Sequence, residues 1–292
     1  MWSGYNTVGR DERMDARTGK KIRLGRLFRP SSGRAIVVAY SHGLLMGPME
    51  GMITLEEMRW RASALRAAEG LMVSPGMLGH LEEVFVGPDA PALVLHLDWQ
   101  NFSRRVLAYP EGVSVALATV EEALAAGASA VMTYMFVGHA DPHDEREEIE
   151  RNARIARECE RLGLPLIIEP RSAREKTHPE DRTDVGVLGM YVRVAAEVGA
   201  DVVKCIYPGE GDAMARVVEG CPVPVLVAGG PRKETLREAL EVAEVCVRVG
   251  CRGIMFGRNI YQAEDPRAAL EAFQRVVHEG LSAQEALAKM QK

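Results

Sequence analysis

Residues 199–211 read GADVVKCIYPGEG, and the fold follows from how that phrase is built. A helical pattern ends at Gly199, a short apolar run follows, and Lys204 stands in the middle of it. Lysine inside a buried strand is costly, because desolvation disfavours its ammonium. Two readings are open from this stretch. Lys204 is either a strand-end side chain that reaches water or an amine kept neutral for attack on carbonyl groups.

Outward from this stretch the same phrase recurs. It appears as RAAEG-LMVSP at 66–75, LAAGA-SAVMTYMFVG at 124–138, ERLGL-PLIIEP at 160–170 and VRVGC-RGIMFG at 247–257. Gly70, Gly127, Gly163, Gly199 and Gly250 are expected to close helices in the left-handed conformation. The apolar runs after them have the length of strands covered on both faces. Expected strands are Ala35–Ser41, Leu71–Ser74, Ala92–Asp98, Ala130–Val137, Pro165–Glu169, Asp201–Tyr207, Pro224–Ala228 and Arg252–Phe256, with a short extra one near Ser114–Ala118. Strict alternation of strand and helix implies parallel pairing with right-handed crossovers. Eight such units in about 250 residues is the size of a (β/α)8 TIM barrel. A doubly wound open sheet is the competing architecture, but no GxGxxG follows the first strand to favour it. Residues 1–34 read as an irregular polar arm, and 35–292 as a single barrel domain of the α/β class.

Composition narrows the function. With 292 residues, 47% of them hydrophobic, the chain buries a full core. A net charge of -5 without a dominant basic patch argues against nucleic acid as a partner. The longest apolar run, Ala128–Gly138, is too short to cross a bilayer, so no membrane partner is expected. The polar stretch Met1–Lys21 is unlike a signal peptide, and five cysteines without a CxxC suit a reducing cytoplasm. The charges of Asp144–Arg161 read as the solvated face of a surface helix.

In a barrel of this kind the chemistry sits at the C-terminal ends of the strands. Those ends carry Ser41-His42-Gly43, Asp98, Tyr134, Glu169-Pro170-Arg171, Lys204, Gly229-Gly230 and Gly257-Arg258-Asn259. Loops after strands seven and eight commonly bind phosphate in such barrels. Glycines admit oxygens to the backbone N–H groups, and an arginine adds a charge-assisted fork.

These residues carry a resemblance. HG at 42–43, ADVVK at 200–204, PVLVAGGP at 224–231 and GRNIYQ at 257–262 resemble the archaeal-type class I fructose-bisphosphate aldolases. That group lies within the DeoC/LacD-like Schiff-base aldolases, with the aminodideoxyheptulosonate synthases and the autoinducer-processing thiolases. The resemblance implies an imine on Lys204 as the only covalent device, with no separate cofactor and no metal. It implies a small phosphorylated carbonyl substrate held at Gly229, Gly230, Gly257 and Arg258, with Ser41, His42 and Arg171 lining the pocket. With the long polar arm, it also implies a homo-oligomer, a pentamer or decamer of barrels. The alternative is a barrel that binds sugar phosphates without aldolase chemistry.

Two departures concern proton transfer. The family has Asp-His-Gly after strand one and a tyrosine before Pro-Arg at the end of strand five; here the residues are Ser41 and Glu169. Imine chemistry needs acid–base help to expel water and to move a hydroxyl proton. Glu169 is expected either to act as that acid/base, with a raised pKa, or to be a structural carboxylate paired with Arg171 or Lys204. Asp98 is expected to close strand three with His96 on the same face. Tyr134 offers a hydroxyl or simply packs. His139 and His143 in HADPH, with His178, are weighed as metal ligands, but Pro142 between the first two points to a loop.

Overall fold

The computed structural model describes residues 15–104 and 106–290. Its strands are β1 (Ala35–Ala39), β2 (Gly70–Val73), β3 (Ala92–His96), β4 (Asp98–Gln100), β5 (Ser114–Ala116), β6 (Ala130–Val137), β7 (Leu166–Ser172), β8 (Val202–Ile206), β9 (Val225–Ala228) and β10 (Gly253–Phe256). Eight of them close a parallel barrel in the order β1-β10-β9-β8-β7-β6-β3-β2. Because β1 pairs with both β2 and β10, the sheet has no edge, and the open-sheet alternative is excluded. β4 and β5 form a separate antiparallel hairpin.

Alternation along the strands divides the core in two. Val37 and Ala39, Val94, Met132, Ile167, Val202, Leu226 and Met255 point into the barrel and pack together. Their neighbours Ile36, Val38, Leu95, Val131, Ile168, Val203, Val227 and Ile254 point outward beneath the helices. Toward the C-terminal end the inward series becomes polar, with His96, Glu169 and Lys204 buried in it. Closure depends on Gly253, whose φ is +129° and where a Cβ would lie 1.9 Å from the Ala35 carbonyl oxygen.

The arm differs from the irregular segment expected. Ala16–Leu27 is a helix, started by Asp15, whose carboxylate accepts from the Thr18 N–H at 2.7 Å. Arg23 donates to the Gly163 carbonyl, and Lys20 pairs with Glu160 and Asp201, next to the N-terminal ends of the strands. Leu27 enters the barrel interior, so this helix closes the end opposite the polar cluster. Residues 1–14 of the expected arm lie outside the described residues.

Other boundaries shift as well. Gly70 opens β2 instead of closing a helix. β7 runs past Glu169 to Ser172, placing Arg171 inside the strand two residues on, on the same inward face. The helix Pro142–Leu162 is not a purely solvated face. Glu148 and Asn152 are buried, and Arg151 reaches inward to Asp98.

Candidate active site

Lys204 sits at the centre of β8, and Glu169 faces it from β7. Nζ and Oε2 are 2.6 Å apart, and both side chains are nearly buried. The other carboxylate oxygen of Glu169 lies 3.3 Å from Arg171 Nη1. Arg171 is held in turn by Glu175 and, more loosely, Glu175 meets Arg182. Burial alone would raise the Glu169 pKa, but the Lys204 and Arg171 charges outweigh it, and the carboxyl is held below its usual value. This corrects the raised pKa expected from burial. The pairing of Glu169 with Arg171 or Lys204, the other reading expected, is present with both cations.

Around this pair lies a cavity of about 380 Å³, lined by His42, Tyr134, Glu169, Arg171, Lys204, Gly229, Gly230, Gly257 and Arg258, among others. Nine residues named from sequence therefore share one space. Burial, followed by the Arg258 and Lys204 charges, holds the His42 imidazole well below its ordinary pKa, so it stays neutral near pH 7. Tyr134 is pushed up by burial and by the Glu169 charge, which keeps its phenol a hydrogen-bond donor. At Gly257 a Cβ would fall 2.4 Å from both the Ala39 carbonyl oxygen and His42 Cε1, so only glycine permits this approach. Asn259 fixes the glycine loops to one another. Its amide donates to the Gly229 and Pro231 carbonyls, and its Oδ1 accepts from the Lys233 N–H.

Ser41 and Asp98 stand behind the cavity wall. β3 ends at His96, so Asp98 begins the β4 hairpin instead of closing the strand. Its Oδ2 accepts from Arg151 at 2.7 Å and from the Tyr134 N–H at 2.8 Å, while Oδ1 lies 3.2 Å from His96 Nε2. The other ring nitrogen, His96 Nδ1, is 2.9 Å from Ser41 Oγ. The candidate histidines go elsewhere. His139 bonds the Gly112 carbonyl, His143 meets Arg146, and His178 meets Thr177. Among the described residues, no group of three or more His, Cys, Asp or Glu could hold a metal ion.

Residues 35–263 match the sequence profile of the DeoC/LacD family aldolases. The chain belongs to that family. An uncharacterised aldolase of Saccharolobus solfataricus is 33% identical, covering 92% of this chain and 98% of its own length. The 3-hydroxy-5-phosphonooxypentane-2,4-dione thiolase of Klebsiella pneumoniae is 33% identical, covering 92% of this chain and 84% of its own. An archaeal fructose-1,6-bisphosphate aldolase, solved with its catalytic lysine covalently bound to the carbinolamine intermediate of the substrate, superposes with a TM-score of 0.74. That likeness is 28% identical and spans 89% of this chain and 99% of the other.

For a DeoC/LacD aldolase, several residues of interest were not singled out from sequence. Glu175, Lys176 and Arg182 line the cavity from the segment after β7, where neither periodicity nor a glycine pair marks them. Arg151 lies on a helix so rich in charge that no single arginine stands out. His96 did carry a signal, the period-two step back from Asp98.

Proposed function

We propose that this aldolase forms an imine between Lys204 and a small phosphorylated carbonyl compound and then breaks or makes the adjacent carbon–carbon bond. The observation that carries this reading is the 2.6 Å Lys204–Glu169 pair opening on a cavity that the glycine loops also line. Before attack the ammonium must lose a proton, and Glu169 is the carboxylate in reach. The neutral amine adds to the carbonyl, and the protonated Glu169 then gives its proton to the carbinolamine hydroxyl as water leaves. The imine withdraws electrons from the neighbouring carbon, so the bond beyond it can break as an enamine forms. Lysine supplies the electron sink, and the scheme calls on no other cofactor.

Gly229, Gly230 and Gly257 present backbone N–H groups to the phosphate, and Arg258 adds a charge-assisted bond. His42 and Arg171 line the carbonyl end. The similarity to a 3-hydroxy-5-phosphonooxypentane-2,4-dione thiolase and to an archaeal fructose-1,6-bisphosphate aldolase, whose names both specify phosphorylated carbonyl compounds, supports the substrate class. We further assign residues 35–292 to the barrel domain and the chain to a cytoplasmic homo-oligomer, a pentamer or decamer. The five free cysteines accord with that compartment, and no helix of the described residues is long and apolar enough to cross a membrane. Incubation with a panel of phosphorylated ketoses and sodium borohydride tests the reading. A stable adduct is expected with at least one of them, whereas none across the panel would favour a barrel that only binds sugar phosphates.

A further inference from the structure

The order of the strands fixes what stands on either side of Lys204. β9 and β10, which lead into Gly229, Gly230 and Gly257, lie on one side of β8, and β7 and β6 lie on the other. Tyr134 of β6 pairs in register with Glu169 of β7, and the pair Ile168–Val203 comes just before Glu169 and Lys204. Tyr134, Glu169 and Lys204 thus stand at one level on neighbouring strands, and all three line the cavity. An imine carbon on Nζ is trigonal. With its phosphate arm toward β9 and β10, its other arm, where the carbon–carbon bond breaks or forms, points toward β7 and β6. On that side Arg171 is tied to Glu169 and Glu175, while Lys176 lies over the Phe102 ring and donates to the Tyr109 carbonyl. The neutral donor there is the Tyr134 phenol.

Tyr134 is fixed at both of its backbone groups. Its N–H donates to Asp98 Oδ2 at 2.8 Å, and its carbonyl accepts from Arg151 and Asn152 at 2.7 and 3.0 Å. The ring stacks on Phe136 at 5.9 Å and tilts against His96 at 5.6 Å. Gln100 Oε1 accepts from the Phe102 and Ser103 N–H groups, so its amide N–H is what bonds the phenol oxygen, and the phenol hydrogen is left for the cavity. We propose that Tyr134 donates a hydrogen bond to the oxygen across the carbon–carbon bond, the one that is hydroxyl in the joined substrate and carbonyl in the separated one. This inference rests on the Lys204 imine and the glycine-loop phosphate site proposed above. As the bond forms or breaks, negative charge gathers on that oxygen, and a donor already in place stabilises it without reorganising. Burial and the Glu169 charge keep the phenol protonated, so it donates and does not ionise. Substrates of this site therefore carry an oxygen on the second carbon from the imine carbon. Tyr134 is a catalytic residue of the bond step and has no part in forming the imine.

Dihydroxyacetone phosphate alone forms the imine and exchanges a hydrogen of its hydroxymethyl carbon with solvent through the enamine. Neither step places charge on an oxygen across the bond, whereas joining the enamine to an aldehyde does. Three quantities are measured on the full chain: the borohydride adduct on Lys204, deuterium uptake from D2O by NMR, and kcat for condensation with glyceraldehyde phosphate, erythrose phosphate or glycolaldehyde. Tyr134→Phe keeps the ring and its stacking. It is expected to leave adduct and uptake within about twofold of the unmodified protein and to lower kcat by about 10²–10³-fold. Retained adduct also shows that the variant is folded. An unchanged kcat overturns the proposal, and so does a fall in all three quantities together, which marks a packing role. Adduct without condensation to any of the three aldehydes in the unmodified protein overturns it as well. No adduct in the unmodified protein would instead overturn the imine reading beneath it.

Discussion

Replacing Glu169 with glutamine removes one charge and almost no volume, and its cost can be worked from the contacts. The carboxylate serves Lys204 at 2.6 Å and Arg171 at 3.3 Å. Arg171 keeps Glu175, so the cation left without a carboxylate is Lys204. Losing one partner of a buried pair costs about 3–5 kcal/mol. Lys204 retains 8% side-chain exposure toward the cavity, so water relieves part of this, and the lower end, about 3 kcal/mol, is expected. For a chain of this size that is a fall in melting temperature of about 6–12 °C. Adduct formation with dihydroxyacetone phosphate should slow further, by about 10²–10⁴-fold, because the acceptor of the Nζ proton and the donor to the leaving water are both gone. Scanning calorimetry and timed borohydride quenching read the two effects separately. A melting temperature within a degree or two of the parent, together with an unchanged adduct rate, would refute the coupling of Glu169 to Lys204.

Other outcomes follow from neighbouring contacts. Arg258→Ala should raise KM for a phosphorylated substrate by about 10–100-fold, a charge-assisted bond being worth about 1.5–3 kcal/mol, and an unchanged KM in folded protein would move the phosphate elsewhere. Gly257→Ala should impair the same site more severely, because its Cβ meets the backbone oxygen of Ala39, which cannot rotate away; activity equal to the parent would contradict this. Glu169, Glu69 and Asp181 are all held below their usual values by cationic or hydrogen-bonding partners that outweigh burial. Their stabilisation is present above the unfolded carboxylate values of about 4 and is lost as pH falls through the folded ones, so urea midpoints should drop below about pH 4 and these three should contribute no slope near neutrality. Light scattering at micromolar concentration should report an oligomer, and a monomer would rule that assignment out.

The barrel was legible because its signals are local: glycines after helices and apolar runs of strand length, with period two within each. Lys204 was legible for the same reason, since a lone lysine in such a run breaks the pattern, and the family motifs around 199–262 sharpened it. The glycine loops could be read because glycine pairs at two matching strand ends stand out in a sequence; at Gly257 the structure shows a packing need, a Cβ there meeting the Ala39 carbonyl oxygen and His42. What sequence left open was partnership. For Glu169 it offered a raised pKa or a pairing with Arg171 or Lys204, and only the geometry shows both cations beside it, holding its pKa below the usual value. Asp98 reads as a strand end, yet the chain turns at Leu97 into the β4 hairpin, and its carboxylate meets Arg151 from a helix 53 residues on. Asn259 looks like any loop asparagine until its three backbone contacts span two loops. The helix Ala16–Leu27 was hidden by its weak periodicity, since only Leu27 of its length is fully buried.

The most direct measurement is the site of the adduct. After incubation with dihydroxyacetone phosphate and sodium borohydride, peptide mapping by mass spectrometry should find one stable modification per subunit, on Lys204. Lys204→Met should abolish both adduct and activity and keep the fold, since methionine fills much the same volume. An adduct on Lys176, the other lysine that lines the cavity, or on any lysine outside it, would contradict the account.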